Sequence, residues 1–214
     1  GQVTMSNSVR IEGGLEISAF DQLPDDTHLL GYWAFDEPTG LHCVDQSPYD
    51  NTGSLGSGVT RVSGSTDTTD TSYQTSGSII GNSLFFDGTN NAVVVISASA
   101  LPDEHLKDGD FSITAWIHTT DDPGPKEIIV GKRDANGDGF QFDIRSGSND
   151  PNTGKSDMSV GFAFDSNHHT GFNGVETLSV AHNLSSGSWN YVAVSVDRDD
   201  KFRLYVNGEQ VGVS

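Results

Sequence analysis

The sequence has one cysteine, few basic residues and no long apolar run. Cys43 is the only cysteine among 214 residues, so no disulfide can form within the chain. Stability must therefore come from a packed core, and we expect Cys43 to be a small buried residue of it. No stretch of ~18 apolar residues occurs, so we expect no membrane insertion.

Basic residues are outnumbered by acidic ones. The chain has 11 Lys and Arg against 30 Asp and Glu, a formal net charge of -19. This charge repels nucleic acids and anionic membranes, so neither is an expected partner. The acidity is explained either by solubility in a salty medium or by divalent cations bound in carboxylate-rich loops, and both explanations stay open.

Helical spacing of apolar residues is absent, whereas short runs rich in β-branched and aromatic residues recur after Leu29. Each run ends in or near Gly, Asp or Asn, which is typical of strands joined by turns. The expected strands are LLGYWAFDE (29–37), SLFFDG (83–88), NAVVVI (91–96), FSITAWIHT (111–119), EIIVGKR (127–133), FQFDIR (140–145), MSVGFAFD (158–165), NYVAVSVD (190–197) and FRLYVNG (202–208).

Other segments are predicted to lie outside this strand series. Residues 1–28 contain VRIEGGLEISAF, which predicts a small hairpin or a pair of edge strands. An acidic stretch with Pro24 follows and predicts a linker into the main domain at 29–214. Residues 56–78 and 146–157 consist largely of Gly, Ser, Thr, Asp and Asn, so we expect surface loops there. Large aromatic residues, Trp189 among them, are expected to be buried.

A series of motifs, taken in order, carries a family resemblance. The motifs are LLGYWAFDEPTG (29–40), VDQSPYDNTGSL (44–55), NSLFFDGTNNAVVV (82–95), GDFSITAWIHT (109–119), IIVGKRD (128–134), GSWNYVAVSVD (187–197) and FRLYVNGEQVG (202–212). This series resembles the laminin G-like family, in its bacterial and pentraxin-related branch. The resemblance implies an all-β, concanavalin A-like jelly-roll sandwich of two antiparallel sheets.

The sequence departs from the family at its C-terminal end. Family members carry two further strands after the YVNG hairpin, whereas this sequence ends at Ser214. We therefore expect the sandwich at 29–214 to lack its last strands and to be completed by other polypeptide. The candidates are the hairpin at 9–17, a C-terminal remainder, or a strand shared by another chain.

Three groups of oxygen-bearing side chains are candidate calcium ligands, and calcium is the expected cofactor. The resemblance places Asp87 and Asn90 near the family's calcium position. Asp45, Asp50 and Asn51 form a second cluster, for which turn-capping hydrogen bonds are the alternative. The third group alternates like an EF-hand loop but has Arg145 at position twelve and strand-like flanks, so a polar hairpin turn is its alternative: Asp134, Asn136 and Asp138.

Ligand-binding residues are expected on one strand and one loop. In FSITAWIHT, Phe111, Ile113, Ala115 and Ile117 alternate with polar residues, so the opposite face presents Trp116 and His118. A Gly- and Asn-rich loop adds the remaining candidates, Asn167, His168 and Asn173.

The expected function is recognition rather than catalysis. Glycoside hydrolysis requires two carboxylates at a set separation, and no E-x-D-x-x-E strand occurs. Asp143 and Asp165 are interpreted as lone acids beside loops. We therefore expect an extracellular or cell-surface module, not an enzyme, that binds a glycan in an adhesin or other multidomain protein. The alternative is a structural subunit of a surface filament, capsid or appendage, completed by strands from a neighbour.

Overall fold

We analysed a computed structural model that describes residues 29–63, 82–88, 94–96, 109–119, 126–133, 139–149, 156–165, 175–181, 184, 187–197 and 200–214. This part of the chain contains strands and no helix, and thus nothing helical that could cross a membrane. The strands are β1 (His42–Cys43), β2 (Gly53–Leu55), β3 (Val59–Ser63), β4 (Asn82–Phe86), β5 (Val94–Ile96), β6 (Phe111–Thr119), β7 (Glu127–Arg133), β8 (Gly139–Asn149), β9 (Ser156–Asp165), β10 (Val175–Ala181), β11 (Ser188–Val196), β12 (Phe202–Val206) and β13 (Glu209–Val213).

Two four-stranded antiparallel sheets form the body of the domain. The first sheet has the strand order β10-β9-β8-β7, and the second has the order β13-β12-β11-β6. Strands β1, β2 and β5 form a smaller sheet, and β3 pairs with β4. The all-β antiparallel sandwich expected from the sequence is confirmed.

The core lies between the inner faces of the two large sheets. Strand alternation turns every second side chain inward, as in β11, where residues at even positions from 190 to 196 are buried. Phe162 of the first sheet and Phe202 of the second meet nearly at right angles, with ring centroids 5.2 Å apart. Burying one such side chain stabilises the fold by ~2 to 3 kcal/mol. Aromatic packing across the layers therefore holds the sandwich together without a disulfide.

Several sequence expectations are confirmed by these elements. Strands β6, β7, β8, β9, β11 and β12 coincide with or contain most of the expected runs, and the alternation within β6 is as expected. Cys43 is fully buried. EQVGV forms β13, returning from a turn in which Asn207 and Gly208 both have positive φ.

Other expectations about local structure are wrong. Residues 29–37 form no strand, and Phe35 has a φ of 62° that a regular strand does not adopt. VTRVS within the expected loop at 56–78 is β3, which pairs with β4 over its whole length, from Val59 opposite Phe86 to Ser63 opposite Asn82. The second expected loop is shortened by β8 and β9, which extend to Asn149 and from Ser156.

Strand β13 lies at the edge of the second sheet. It pairs with β12, and no other described strand pairs with it. Gly212 lies so close to the first sheet that a Cβ there would overlap Cγ2 of Val180. Residues 1–28 lie outside the described part of the chain, so the division into a hairpin segment and a main domain stays a prediction.

Candidate ligand-binding face

The outer face of the second sheet carries the candidate site, and we call it the aromatic face. Its side chains point away from the core because the alternate residues of the same strands are buried or packed against it. The aromatic face comprises Ser112, Thr114, Trp116 and His118 of β6, Trp189, Tyr191, Ala193 and Ser195 of β11, and Arg203 and Tyr205 of β12.

One end of this face is built from two cross-strand aromatic pairs. Trp116 lies opposite Tyr191, with ring centroids 5.2 Å apart and ring planes inclined by 51°. His118 lies opposite Trp189 at 5.4 Å, edge to face. The side chain of Trp116 is 57% exposed, which is unusual for so large an apolar group. Trp116 and His118, both expected from the sequence, are thus brought together by β6.

The expectation that Trp189 belongs to the core is wrong. It is only partly buried and lies on the outer face, because Asn190, its neighbour in the strand, is the residue that points inward and is fully buried. The sequence analysis also missed Tyr191. The alternation that located Trp116 on β6 is present in NYVAVSV too, so applying it to β11 would have found both residues.

Burial lowers the pKa of His118 below its ordinary value of 6.5, although a hydrogen bond with the backbone of Gly187 acts in the opposite direction. The imidazole is consequently harder to protonate in the fold than in the unfolded chain. Neutral His118 beside Trp189 keeps this end of the aromatic face uncharged near neutral pH.

The other end of the face is polar. Ser112, Ser195 and Arg203 lie in register across β6, β11 and β12. They line an open cavity of about 270 Å³ together with Asp110 and Asp197. Hydroxyl, carboxylate and guanidinium groups therefore border this open cavity.

Arg203 is held in place by two carboxylates. Its Nη2 donates to Oδ2 of Asp200 at 2.6 Å, and its Nη1 lies 3.9 Å from Oδ2 of Asp197. All three side chains are partly exposed, so these ion pairs contribute little to stability. They fix the direction of the guanidinium at the mouth of the cavity.

The loop at 45–51, expected as a calcium candidate, is held by hydrogen bonds from the protein itself. Oδ1 of Asp45 accepts from the backbone N–H groups of Tyr32 (2.7 Å) and Ser47 (2.9 Å), and Oδ2 accepts from the Ser47 hydroxyl (2.6 Å) and the Asn51 N–H (2.8 Å). Burial alone would raise the pKa of Asp45, but these bonds outweigh it, and the pKa lies below its ordinary value. Asp45 fits a turn-capping residue, since both its oxygens are already engaged.

The other two members of that cluster differ from each other. The side chain of Asn51 is buried, and its Nδ2 donates to the carbonyl of Leu30 at 2.8 Å. Asp50 is exposed and accepts only a long 3.3 Å bond from the Thr52 hydroxyl. Of the three residues, Asn51 has a buried side-chain oxygen, Oδ1, without a hydrogen-bond partner, whereas both carboxylate oxygens of Asp45 are engaged. Calcium binding by this loop stays a prediction.

Asp87 is the other described metal candidate. Its backbone N–H donates to the carbonyl of Gly58 at 3.0 Å, and its carboxylate packs over that glycine. Within the described residues, no three His, Cys, Asp or Glu side chains are grouped closely enough to hold a metal. The other candidate metal ligands lie outside the described residues: Asn90, Asp134, Asn136 and Asp138. The same holds for the candidate ligand-binding residues of the Gly- and Asn-rich loop: Asn167, His168 and Asn173.

Asp143 is not beside a loop as expected, because it lies within β8 and is fully buried on the outward side of that strand. Arg145 donates to both of its carboxylate oxygens, at 2.6 and 3.0 Å, and Gln141 donates to Oδ2 at 2.8 Å. This bonded carboxylate has no exposed surface with which to reach a substrate. Asp165 ends β9, and its side chain is outside the described part.

Solved structures with a similar fold include toxin binding domains. The binding domain of botulinum neurotoxin serotype D aligns with a TM-score of 0.55 and 13% identity, over 89% of this chain and 40% of that domain. The binding domain of Paraclostridial Mosquitocidal Protein 1 gives 0.56 and 13%, over 86% and 39%. This chain thus spans about two fifths of their length. At such low identity the likeness shows the fold alone.

Sequence comparison gives the family directly. No curated protein matches the chain. A laminin G family model, described as the concanavalin A-like lectin/glucanases superfamily, matches residues 87–214. That range includes strands β5 to β13 and hence both large sheets with the aromatic face. The chain therefore belongs to the concanavalin A-like lectin/glucanases superfamily.

Proposed function

We propose that this protein is an extracellular or cell-surface recognition module that binds a glycan through the aromatic face. The exposed Trp116, paired with Tyr191 on the outer face of the second sheet, carries the proposal. A sugar ring has an apolar C–H side that packs on an aromatic ring, and hydroxyls that bond to polar groups around it. The aromatic face offers both kinds of group.

The family and the structural neighbours support binding rather than catalysis. The superfamily is named for both lectins and glucanases, whereas the solved neighbours are titled as binding domains, one of them as a receptor binding domain. Among the described acids, Asp143 is buried against Arg145, while Asp110 and Asp197 line a cavity that also contains Arg203. We infer that the chain is not an enzyme and that it acts within a larger adhesin or surface protein.

A glycan array probed with the purified chain tests this proposal. We expect retention of the wild type on one class of glycan and at least a tenfold weaker affinity for Trp116→Ala, since an interfacial aromatic anchor commonly contributes more than 1.4 kcal/mol. Phe86→Ala removes an aromatic group that is 47% exposed but lies on β4, away from the aromatic face, and serves as the control. Equal binding by all three proteins, or by none of them, would contradict the proposal.

A second candidate function rests on the edge strand β13. Its pairing with β12 alone, within the described part of the chain, favours a structural subunit that shares strands with a neighbouring chain in a filament, capsid or appendage. Such a subunit forms concentration-dependent polymers, whereas a recognition module stays monomeric while bound to a glycan. Light scattering across a dilution series distinguishes the two functions.

A further inference from the structure

The aromatic and polar ends of the aromatic face are joined by a floor of small side chains. Thr114 of β6 lies opposite Ala193 of β11, between the Trp116 and Tyr191 pair on one side and the Ser112 and Ser195 pair on the other. Large aromatic rings therefore flank this central row on one side along the strands and small serines on the other, and Tyr205 of β12 lies beside Ala193 at the end of the row. A chain-like ligand could lie there in contact with both ends at once.

The separation of the two ends sets the length of that ligand. Trp116 lies four positions after Ser112 in β6, which corresponds to ~13 Å along a strand. One sugar ring cannot span this distance, so a monosaccharide would contact either the aromatic pair or the cavity. Contact with both ends requires several linked sugars that run parallel to β6 and β11.

Charge indicates which sugars fit. The cavity presents the carboxylates of Asp110 and Asp197, and the whole chain carries a formal net charge of -19. The guanidinium of Arg203 is already bonded to Asp200. A glycan with carboxylate or sulfate groups would meet repulsion over the whole approach, whereas uncharged hydroxyls can bond to these carboxylates.

We infer that the aromatic face binds an extended, uncharged glycan chain whose one end stacks on Trp116 and Tyr191 while a later unit enters the cavity beside Ser195 and Arg203. This inference rests on the proposed function and adds the length, direction and charge of the ligand. The aromatic end supplies apolar contact, and the cavity supplies hydrogen bonds.

Calorimetry with neutral oligosaccharides of increasing length, prepared from cellulose, xylan, mannan and starch, tests the inference. We expect the affinity for one of these series to rise at least tenfold from the monosaccharide to the longest chain. Ala193→Phe places a ring on the central floor and should reduce the affinity for the longest chain to that for the short ones. Thr177→Phe, on the exposed side of β10, is the matched control and should bind like the wild type.

The outcomes separate the inference from the proposed function. An affinity independent of length, an unchanged affinity in Ala193→Phe, or equally tight binding of oligogalacturonates would overturn the inference, even where Trp116→Ala still abolishes binding. Absence of binding to any glycan would overturn both proposals. Thr114→Tyr blocks the same floor from the neighbouring strand and repeats the test where Ala193→Phe does not fold, as judged by circular dichroism.

Discussion

The carboxylate of Asp45 closes the loop that precedes β2 by accepting the backbone N–H of Asn51, six residues further on, at 2.8 Å. Three more hydrogen bonds, from Tyr32 and Ser47, converge on the same side chain. Asp45 is 4% exposed, so these donors would have no water to replace it. One buried carboxylate thus orders a segment that has little regular secondary structure.

Asp45→Asn should destabilise the fold. The new amide group would face at least one N–H or O–H donor, which costs ~1 to 3 kcal/mol of the free energy of unfolding. Because the folded pKa of Asp45 is lowered, its contribution is present above the unfolded value of 3.8 and is lost as pH falls through the folded pKa. Asp50→Asn, five residues away and exposed, is the control. Urea denaturation near neutral pH should separate the two variants, and equal midpoints would contradict the capping role.

Gly58→Ala should destabilise more than Gly40→Ala. Both glycines have positive φ, 86° and 98°, so alanine costs ~1 to 2 kcal/mol at either position. At Gly58 the new Cβ would also lie 2.7 Å from Oδ1 of Asp87, whereas nothing lies within 4 Å at Gly40. Thermal unfolding of both variants measures the difference, which reports the contact with Asp87 alone. A Gly40→Ala variant that is as unstable as Gly58→Ala would show that backbone strain is the whole effect.

The sequence predicts the strands of the two large sheets well because each has one buried face, so its apolar residues alternate over a full strand. The VETLSVA run of β10 was missed although Leu178 and Val180 alternate, because flanking polar residues resemble a loop. The strand expected at residues 29–37 is absent for the opposite reason. Their aromatic content is typical of a strand, but Trp33 instead donates its Nε1 proton to the Asn51 carbonyl in an irregular segment.

The site was less predictable than the fold. Trp116 and His118 could be found from alternation within one strand, whereas Ser195 and Arg203 join the face only through the register of β11 with β6 and β12. Register depends on which strands pair, and a single sequence does not give that pairing. Turn capping by Asp45 was one of the two interpretations that the sequence left open, but its hydrogen-bond donors could not be named, since three of its four hydrogen bonds come from backbone N–H groups.

His118 should make stability fall on mild acidification. The unfolded chain takes up a proton at this residue at a higher pH than the folded protein does, because burial lowers the folded pKa. Stability linked to His118 is therefore constant above 6.5 and declines as pH falls from there toward the folded pKa. His118→Gln should reduce the loss of unfolding free energy between about pH 7.5 and about pH 5. His42→Gln, at an exposed histidine, is the control for removing any histidine. An identical loss of unfolding free energy in the wild type and in His118→Gln would show that His118 does not cause the pH dependence.

Calcium should raise the melting temperature, through Asp87 with Asn90 or through Asp134, Asn136 and Asp138. A ligand that binds only the folded state stabilises it by ~2.7 kcal/mol at one hundred times its Kd. We expect a higher melting temperature in millimolar calcium than in chelator, and a smaller difference in Asp87→Asn or Asp138→Asn. Asp200→Asn, at an exposed carboxylate outside the three candidate groups, should keep the full difference. A melting temperature that is the same with chelator and calcium would exclude a folded-state ion site.

The outer edge of β13 should be covered by a further strand. The Ser214 N–H donates to the Phe202 carbonyl of β12, so alternation along the strand turns the N–H of Val213 away from β12. A covering strand would accept that proton, and the Val213 amide should then exchange with solvent as slowly as the amides of β12. Val213→Pro removes this N–H donor but leaves the hydrogen bonds between β13 and β12 intact. The substitution should lower the free energy of unfolding by about 1 kcal/mol.

Loss of amide protection at Val213 on dilution would identify the covering strand as another chain. Loss of protection on deletion of residues 1–28 would identify it as the N-terminal hairpin. Fast exchange at Val213 in the intact protein, with Val213→Pro as stable as the wild type, would show that the edge is open.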